Sequence, residues 1–330
     1  MPIRSIADWD LFLTQFPEAH ILQTSAWGEL KAGFGWYPIR VSTEKTGAQV
    51  LFRRLPMGFS IAYIPKGPVG SAWHILWPEI DQLCRHNRSI FLLVEPDRLE
   101  PSDNDLSTSM HEFGSPAESI QPRRSLIVDL TGSEEEVLDR MKQKTRYNIH
   151  LAQRKGINVR AVDSVTEFYR LMQQTGIRDG FGVHTLEYYS KCYELFSKKG
   201  KCILLQAEHD GRALASLMAF CSGQRAWYFY GASSDEERNR MPTYLLQWEA
   251  MRWARQYGSL EYDLWGIPDE NESVLETNFM DHSEGLWGVY RFKRGFGGRF
   301  VRSAGAWKRV YNPILYQVYR WRMGKRNLGG

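Results

Sequence analysis

Apolar and polar positions along the 330-residue chain fall into two matching blocks. In the first, three short strand-like runs, Trp36–Val41, Gln49–Arg54 and Ser60–Pro65, are separated by the turn residues Thr46-Gly47 and Pro56-Met57-Gly58. A helix-like stretch from Ala72 to about Asn87 follows, then the apolar strand Ile90–Val94. The second block repeats the order. Strands Cys202–Glu208, Ala213–Cys221 and Ala226–Gly231 are joined by the hairpin signals Asp210-Gly211 and Ser222-Gly223. The helix Pro242–Tyr257 opens on proline and stops at Gly258, and the strand Leu260–Leu264 closes the block.

Between the blocks, Ser133 and Glu136 form a capping-box pattern that opens one long predicted helix, running to about Lys155 and stopped by Gly156. Leu138, Met141, Thr145, Ile149 and Ala152 recur at helical spacing as its buried stripe. A second capping box, Ser164 with Glu167, predicts a helix to about Gln174, and residues 98–121 read as loop. The twice-repeated order of helices, antiparallel meander, helix and strand is that of the GNAT acyltransferases. It predicts an α/β fold of two tandem GNAT-like domains, 1–130 completed by 304–330, and 131–303. By fold analogy this raises the expectation of acyl transfer.

Composition is ordinary for a globular protein, with 43% hydrophobic and 24% charged residues. Cys84, Cys192, Cys202 and Cys221 show neither metal nor redox spacing and read as reduced thiols of a cytoplasmic protein. The start of the chain lacks a signal-peptide core, and no apolar run reaches the ~18–20 residues that span a bilayer. The net charge of +4 hides an asymmetry: no Asp or Glu follows Glu284, while eleven basic residues do, from Arg291 to Arg326. Such a tail predicts a polyanionic partner or an anionic surface, with a merely solvated basic face as the alternative.

Candidate chemistry narrows this. Acyl-CoA enzymes of this fold hold the pyrophosphate on a glycine-rich turn before a helix. The equivalent here is Arg238-Asn239-Arg240-Met241-Pro242-Thr243, without glycine and with a proline that removes one N–H donor. Phosphate-loop, dinucleotide, nucleophile-elbow and zinc-protease motifs are absent, and the histidines are scattered, so no metal and no cofactor are expected. No Ser or Cys is paired with a base as a nucleophile would need.

Six segments taken together resemble the Fem family (FemABX) of peptidoglycan-bridge aminoacyltransferases. They are residues 23–31 (QTSAWGELK), 65–68 (PKGP), 144–149 (KTRYNI), 228–233 (YFYGAS), 262–268 (YDLWGIP) and 290–297 (YRFKRGFG). The resemblance covers nearly the whole chain. It implies twin GNAT-like domains, an aminoacyl-tRNA donor and a peptidoglycan-precursor acceptor, either UDP-MurNAc-pentapeptide or lipid II. The short path from Arg252 to Gly266 leaves no room for the helical-hairpin insertion of some members, so the chain looks like the compact type.

The resemblance also implies roles. Lys293 matches the catalytic position, with Phe292, Arg291 and Arg294 around the tRNA end. Lys31, His184, Tyr188, Tyr230 and Glu95 match acceptor-side positions. Several alternatives stay open: Lys31 as an exposed helix-end lysine, Tyr230 as a core aromatic, Glu95 as a structural carboxylate. The family often has arginine where His184 stands, which leaves a lipid-linked acceptor open beside a UDP-linked one. The segment Pro313–Arg326 is expected to pack on the first domain through Ile314, Leu315, Val318 and Trp321, or else to lie on a membrane as a peripheral contact. Competing classes are an acyl-CoA N-acyltransferase and a non-catalytic RNA- or envelope-binding protein.

Overall fold

The computed structural model describes residues 3–101, 104–282 and 284–323. Lys325 and Arg326, counted in the basic tail, lie outside the described residues. Fourteen strands appear along them. They are Trp36–Ser42 (β1), Thr46–Arg54 (β2), Ser60–Pro65 (β3), Val69–Gly70 (β4), Ser89–Glu95 (β5), Gly114–Ala117 (β6) and Arg124–Asp129 (β7), followed by Asn158–Ala161 (β8), Cys202–His209 (β9), Arg212–Ser222 (β10), Arg225–Ser233 (β11), Glu261–Asp263 (β12), Arg299–Arg302 (β13) and Ala306–Val310 (β14).

Two compact units form, Met1–Arg123 with Arg302–Gly330, and Arg124–Val301. In the first, the sheet order is β1-β2-β3-β5-β14-β6, with β4 paired to β2. In the second it is β13-β7-β12-β11-β10-β9-β8. Each unit contains the predicted antiparallel meander, a crossover helix and a parallel return strand. Helix Trp77–His86 carries β3 to β5, and helix Pro242–Gln256 carries β11 to β12. In each unit an antiparallel strand then flanks the return strand, β14 beside β5 and β7 beside β12. The architecture is two GNAT-like α/β domains. Apolar residues from the strands and the crossover helix fill one core per unit, for example Val50, Ile64, Ile80 and Leu92 in the first and Leu205, Leu217, Met251 and Tyr262 in the second.

Three local expectations need correction. The long helix is two: Glu134–Asp139, with the predicted Ser133/Glu136 capping box, and Gln143–Arg154. At the break, Lys142 N donates to Gly295 O at 2.9 Å, and the Arg146 guanidinium takes the carbonyls of Asp139 and Met141. The backbone groups released by the break therefore find partners elsewhere. The Ser164/Glu167 box does not form; that helix runs Thr166–Asp179 with Val165 at its cap and no side-chain cap bond. Residues 98–121, read as loop, contain a short helix, Asn104–Ser109, and β6.

The C-terminal helix Pro313–Met323 does return to the first unit, but on a different face from the expected one. Tyr316 and Tyr319 pack on Phe91 of β5 at ring separations of 5.4 and 5.2 Å. Of the expected stripe, Leu315 is half-buried, whereas Ile314, Val318 and Trp321 are exposed. Among the described residues no helix is long and apolar enough to cross a membrane.

Candidate functional site

The site assembles where the second sheet opens. β11 and β12 pair only over Arg225–Trp227 and Glu261–Asp263. Beyond this, β11 bulges: Tyr228 and Tyr230 face Ala219 and Met218 of β10, and Phe229 is the extra residue between them. After Asp263 the chain turns through Trp265 and Gly266, at φ +50° and +74°. This conformation is free for glycine and costs tryptophan about 1–2 kcal/mol. Asp263 holds the turn. Its carboxylate accepts from Trp265 N at 2.8 Å and from the Ser125 hydroxyl, while the Trp265 ring lies edge-on to Phe229 at 4.7 Å.

The turned carbonyls converge on Lys293, at the end of helix Leu286–Lys293. Lys293 is 4% exposed, and its ammonium donates to Trp265 O and, at 2.8 Å, to Gly266 O. It also lies 5.6 Å from the Tyr228 ring centroid. Two carbonyls occupy two of its three N–H donors. Burial lowers its pKa from the ordinary lysine value to about 7, against the opposing charge of Asp263. Burial likewise pushes the neighbouring Tyr228 phenol up to about 12, so Tyr228 stays neutral beside it.

Beside this centre is a cavity of about 600 Å3. Tyr228 and Gly231–Ser233 of β11, Ser234 after it, the first turn of helix Pro242–Gln256, and Arg291 and Phe292 line it. Arg178, Arg238 and Arg291 face it, against Asp179 and Glu284. Phe292 is half-buried, edge-on to Tyr244 and Phe296, each at 5.0 Å. The structure thus puts Phe292 and Arg291 at the cavity, with Lys293 reaching Tyr228 in its wall. Arg294 does something else. Its guanidinium is paired with Glu276 and stacked 3.8 Å over Phe279, and the pair holds the Glu276 carboxyl down to about 2. In this structure Arg294 thus forms an ion pair that ties the helix of Lys293 to helix Glu272–Asn278.

Three acceptor-side candidates also come together in this unit. His184 stacks on Tyr188 with ring centroids 3.9 Å apart, and the Tyr188 and Tyr230 hydroxyls lie 3.3 Å apart. Tyr188 is buried, while His184 and Tyr230 are half-buried. The other two belong to the first unit. Lys31, in the last turn of helix Ser25–Ala32, lies 5.0 Å over the Trp27 ring. Glu95, at the end of β5, is 2% exposed and accepts from the Tyr63 hydroxyl, Ile120 N at 2.7 Å and Gln121 N at 3.1 Å. A carboxylate enclosed by three donors ties a loop to a strand end. Of the two readings left open for Glu95, acceptor-side residue and structural carboxylate, these contacts favour the second.

Asp263 and Tyr228 were not singled out from the sequence, although both sit inside resembling segments. Asp263 reads there as one more strand-end acid, because its partners Ser125 and Trp265 are joined to it only by the fold. The four cysteines are buried and form no disulfide, and burial raises the thiols of Cys84 and Cys221 to about 12 and about 11, which removes these two as nucleophiles at neutral pH.

The model of the FemAB family matches residues 104–212 and 201–322. The chain is similar to the lipid II:glycine glycyltransferase of Staphylococcus aureus, 22% identical over 94% of this chain and 92% of that protein. Among solved structures it is similar to FemX, with a TM-score of 0.84 at 21% identity, covering 96% of this chain and 98% of the other. It is also similar to L-PGS from Bacillus licheniformis, with a TM-score of 0.59 at 13% identity and 98% coverage of both.

Proposed function

The chain belongs to the FemAB family, and on that premise we propose that it transfers an aminoacyl group from an aminoacyl-tRNA to the stem peptide of a lipid-linked peptidoglycan precursor. One observation carries the reading: a buried ammonium, Lys293, fixed on two carbonyls beside a cavity of about 600 Å3 lined by Arg291 and Phe292. The relative named for lipid II favours a lipid-linked acceptor over a UDP-linked one. Against an acyl-CoA donor speaks the helix entry at the cavity, where Met241 is left-handed, Pro242 lacks an N–H and no glycine opens the way to a pyrophosphate.

In this mechanism the tRNA end enters the cavity over Phe292, with Arg291 and Arg238 toward its phosphates. The neutral amine of the stem peptide attacks the ester carbonyl. Negative charge grows on the carbonyl oxygen, and the Lys293 ammonium stabilises it through its remaining N–H. As the C–O bond breaks, the departing ribose oxygen takes a proton from Lys293. The lysine recovers one from the ammonium formed by the attacking amine, so the C–N bond forms with no net change at the enzyme. A lysine with a pKa of about 7 suits this exchange, because it both holds and releases a proton at neutral pH.

The test is direct: incubation with charged tRNAs and lipid-linked muropeptides, with the product identified by mass. A product lengthened by one amino acid is expected. Its absence across a complete set of charged tRNAs removes the reading.

The pH profile follows with its sign. Lys293 must be protonated to act, so kcat should fall as pH rises through about 7. Asp263→Asn keeps the acceptor oxygen for Trp265 N and removes the charge that favours the ammonium. The variant should shift this alkaline limb to lower pH. A loss of thermal stability with an unmoved limb would limit Asp263 to a structural role.

A further inference from the structure

We propose that the outer face of helix Gln143–Arg154 carries the phosphate backbone of the donor RNA where it leaves the cavity, a binding surface separate from the transfer centre. The inference rests on the aminoacyl-tRNA donor proposed above. The C-terminal basic tail, which the charge pattern suggests for this role, is largely engaged. Arg294 is paired with Glu276, Arg299 with Glu261, Arg302 with Glu100, and Arg309 with Asp81 and Glu112. A guanidinium held on a carboxylate must give up that partner before it can hold a phosphate. A second basic tract lies elsewhere: from Arg140 to Arg160 the chain has seven Lys and Arg and no Asp or Glu. The fold sorts these seven. Arg140 and Arg146 hold backbone carbonyls, Lys142 pairs with Glu276, Arg160 with Glu208, and Lys155 donates to Asn239 O at 2.8 Å. Lys144 and Arg154 are exposed, and neither has a carboxylate partner among the described residues.

Between these two cations stands Tyr147, 55% exposed, with the Arg154 guanidinium 5.7 Å from its ring centroid. Lys144, Tyr147 and Arg154 fall at i, i+3 and i+10, along one side of the helix over about 15 Å. The other side is buried through Thr145, Asn148, Ile149 and Ala152. Its contacts fix where the helix lies. Thr145 sits against Gly295, two residues after Lys293. Asn148 hydrogen-bonds the hydroxyl of Tyr244, which lines the cavity. At the helix end, Arg240 donates to Lys155 O at 2.8 Å, so the helix is clamped to the turn that brings Arg238 to the cavity. The helix therefore runs beside the cavity, from the Lys293 segment to the Arg238 turn. An RNA whose 3′ end fills the cavity passes close to this face. Cations flanking an exposed ring suit phosphates and a stacked base. A bilayer interface would need an apolar stripe, and among the described residues of this helix Tyr147 alone is large, apolar and exposed.

The experiment compares the full chain with its double variant Lys144→Gln, Arg154→Gln. Both side chains lie in solvent, so the melting temperature should match the wild type. Binding of uncharged tRNA, followed by fluorescence anisotropy over a range of salt, should weaken roughly tenfold, and the slope of log affinity against log salt should become shallower by about 2. In transfer assays KM for full-length aminoacyl-tRNA should rise by a similar factor with kcat unchanged. A short aminoacylated oligonucleotide carrying only the 3′ end fills the cavity without reaching the helix, so both proteins should use it equally. Unchanged tRNA affinity and salt slope overturn the proposal, as does an equal loss with both donors. Weaker binding to phosphatidylglycerol vesicles with tRNA affinity kept would assign the face to a membrane instead. Transfer by a variant that binds tRNA like the wild type sinks this surface and leaves the donor reading intact. A wild type whose tRNA binding depends on Lys144 and Arg154, yet which gives no product with any charged tRNA, sinks the transfer reading and leaves the surface.

Discussion

Lys293→Met is expected to lower turnover about 100- to 1,000-fold while leaving the affinity for the muropeptide acceptor near that of the wild type. The size follows from what the ammonium does: one preorganised charge at a developing oxyanion contributes about 3–4 kcal/mol to the transition state. Lys293 is 4% exposed, so its charge acts at a lower local dielectric than in water. Methionine matches the stem of lysine and keeps the packing against Tyr228. It leaves the Trp265 and Gly266 carbonyls without their donor, at a cost of about 1–3 kcal/mol each if no water enters. Against this, the variant no longer buries a cation whose pKa is already depressed to about 7. The two effects oppose, so stability should move much less than turnover. Single-turnover transfer from a charged tRNA, with acceptor binding measured separately by calorimetry, separates the two. The alkaline limb near pH 7 should vanish with the lysine. Turnover within a few fold of wild type would exclude Lys293 from the chemistry.

How this centre could be anticipated differs from residue to residue. The strands that frame it were legible, because hairpin turns such as Asp210-Gly211 and alternating apolar runs are local signals. Lys293 itself was legible only through the resemblance of residues 290–297, since it is one of eleven basic residues between Arg291 and Arg326 and nothing local distinguishes it from the others. Its environment was not legible at all. The carbonyls of Trp265 and Gly266, the carboxylate of Asp263 and the hydroxyl of Ser125 meet through the pairing of β7 with β12, a contact between segments more than a hundred residues apart. Arg294 shows the converse: from its place in the basic run it looked available to a polyanion, and a distant acid, Glu276, claims it. The stripe of the C-terminal helix was also misjudged for a physical reason. Both of its sides are apolar, so periodicity alone does not say which one turns inward, and the aromatic partner Phe91 decided it.

The break in the helix after Asp139 has the same origin, and it yields the second large effect: Gly297→Ala should destabilise the second unit by about 2–5 kcal/mol. No proline or glycine lies at Arg140–Lys142, so the local sequence reads as continuous helix. The interruption comes from the segment after Lys293, which presses its backbone into the gap. Gly295 O accepts from Lys142 N, and Gly297, at φ +71°, sits against the backbone of Arg140 and Met141. A Cβ on Gly297 would run into the Arg140 carbonyl. The left-handed backbone costs alanine about 1–2 kcal/mol, and backbone displacement by the new methyl adds about 1–3 kcal/mol. Urea unfolding of the variant reads the sum, and a loss below about 1 kcal/mol would show that the joint yields without cost. Gly297→Asn separates the two causes, because asparagine tolerates positive φ but carries the same Cβ. If asparagine is as damaging as alanine, the close approach dominates, and the break exists to admit this backbone. Lys293 leads directly into the same segment, so the variant should also lose transfer activity per folded molecule. The glycines after the lysine would then set its position as much as the carbonyls that receive its ammonium.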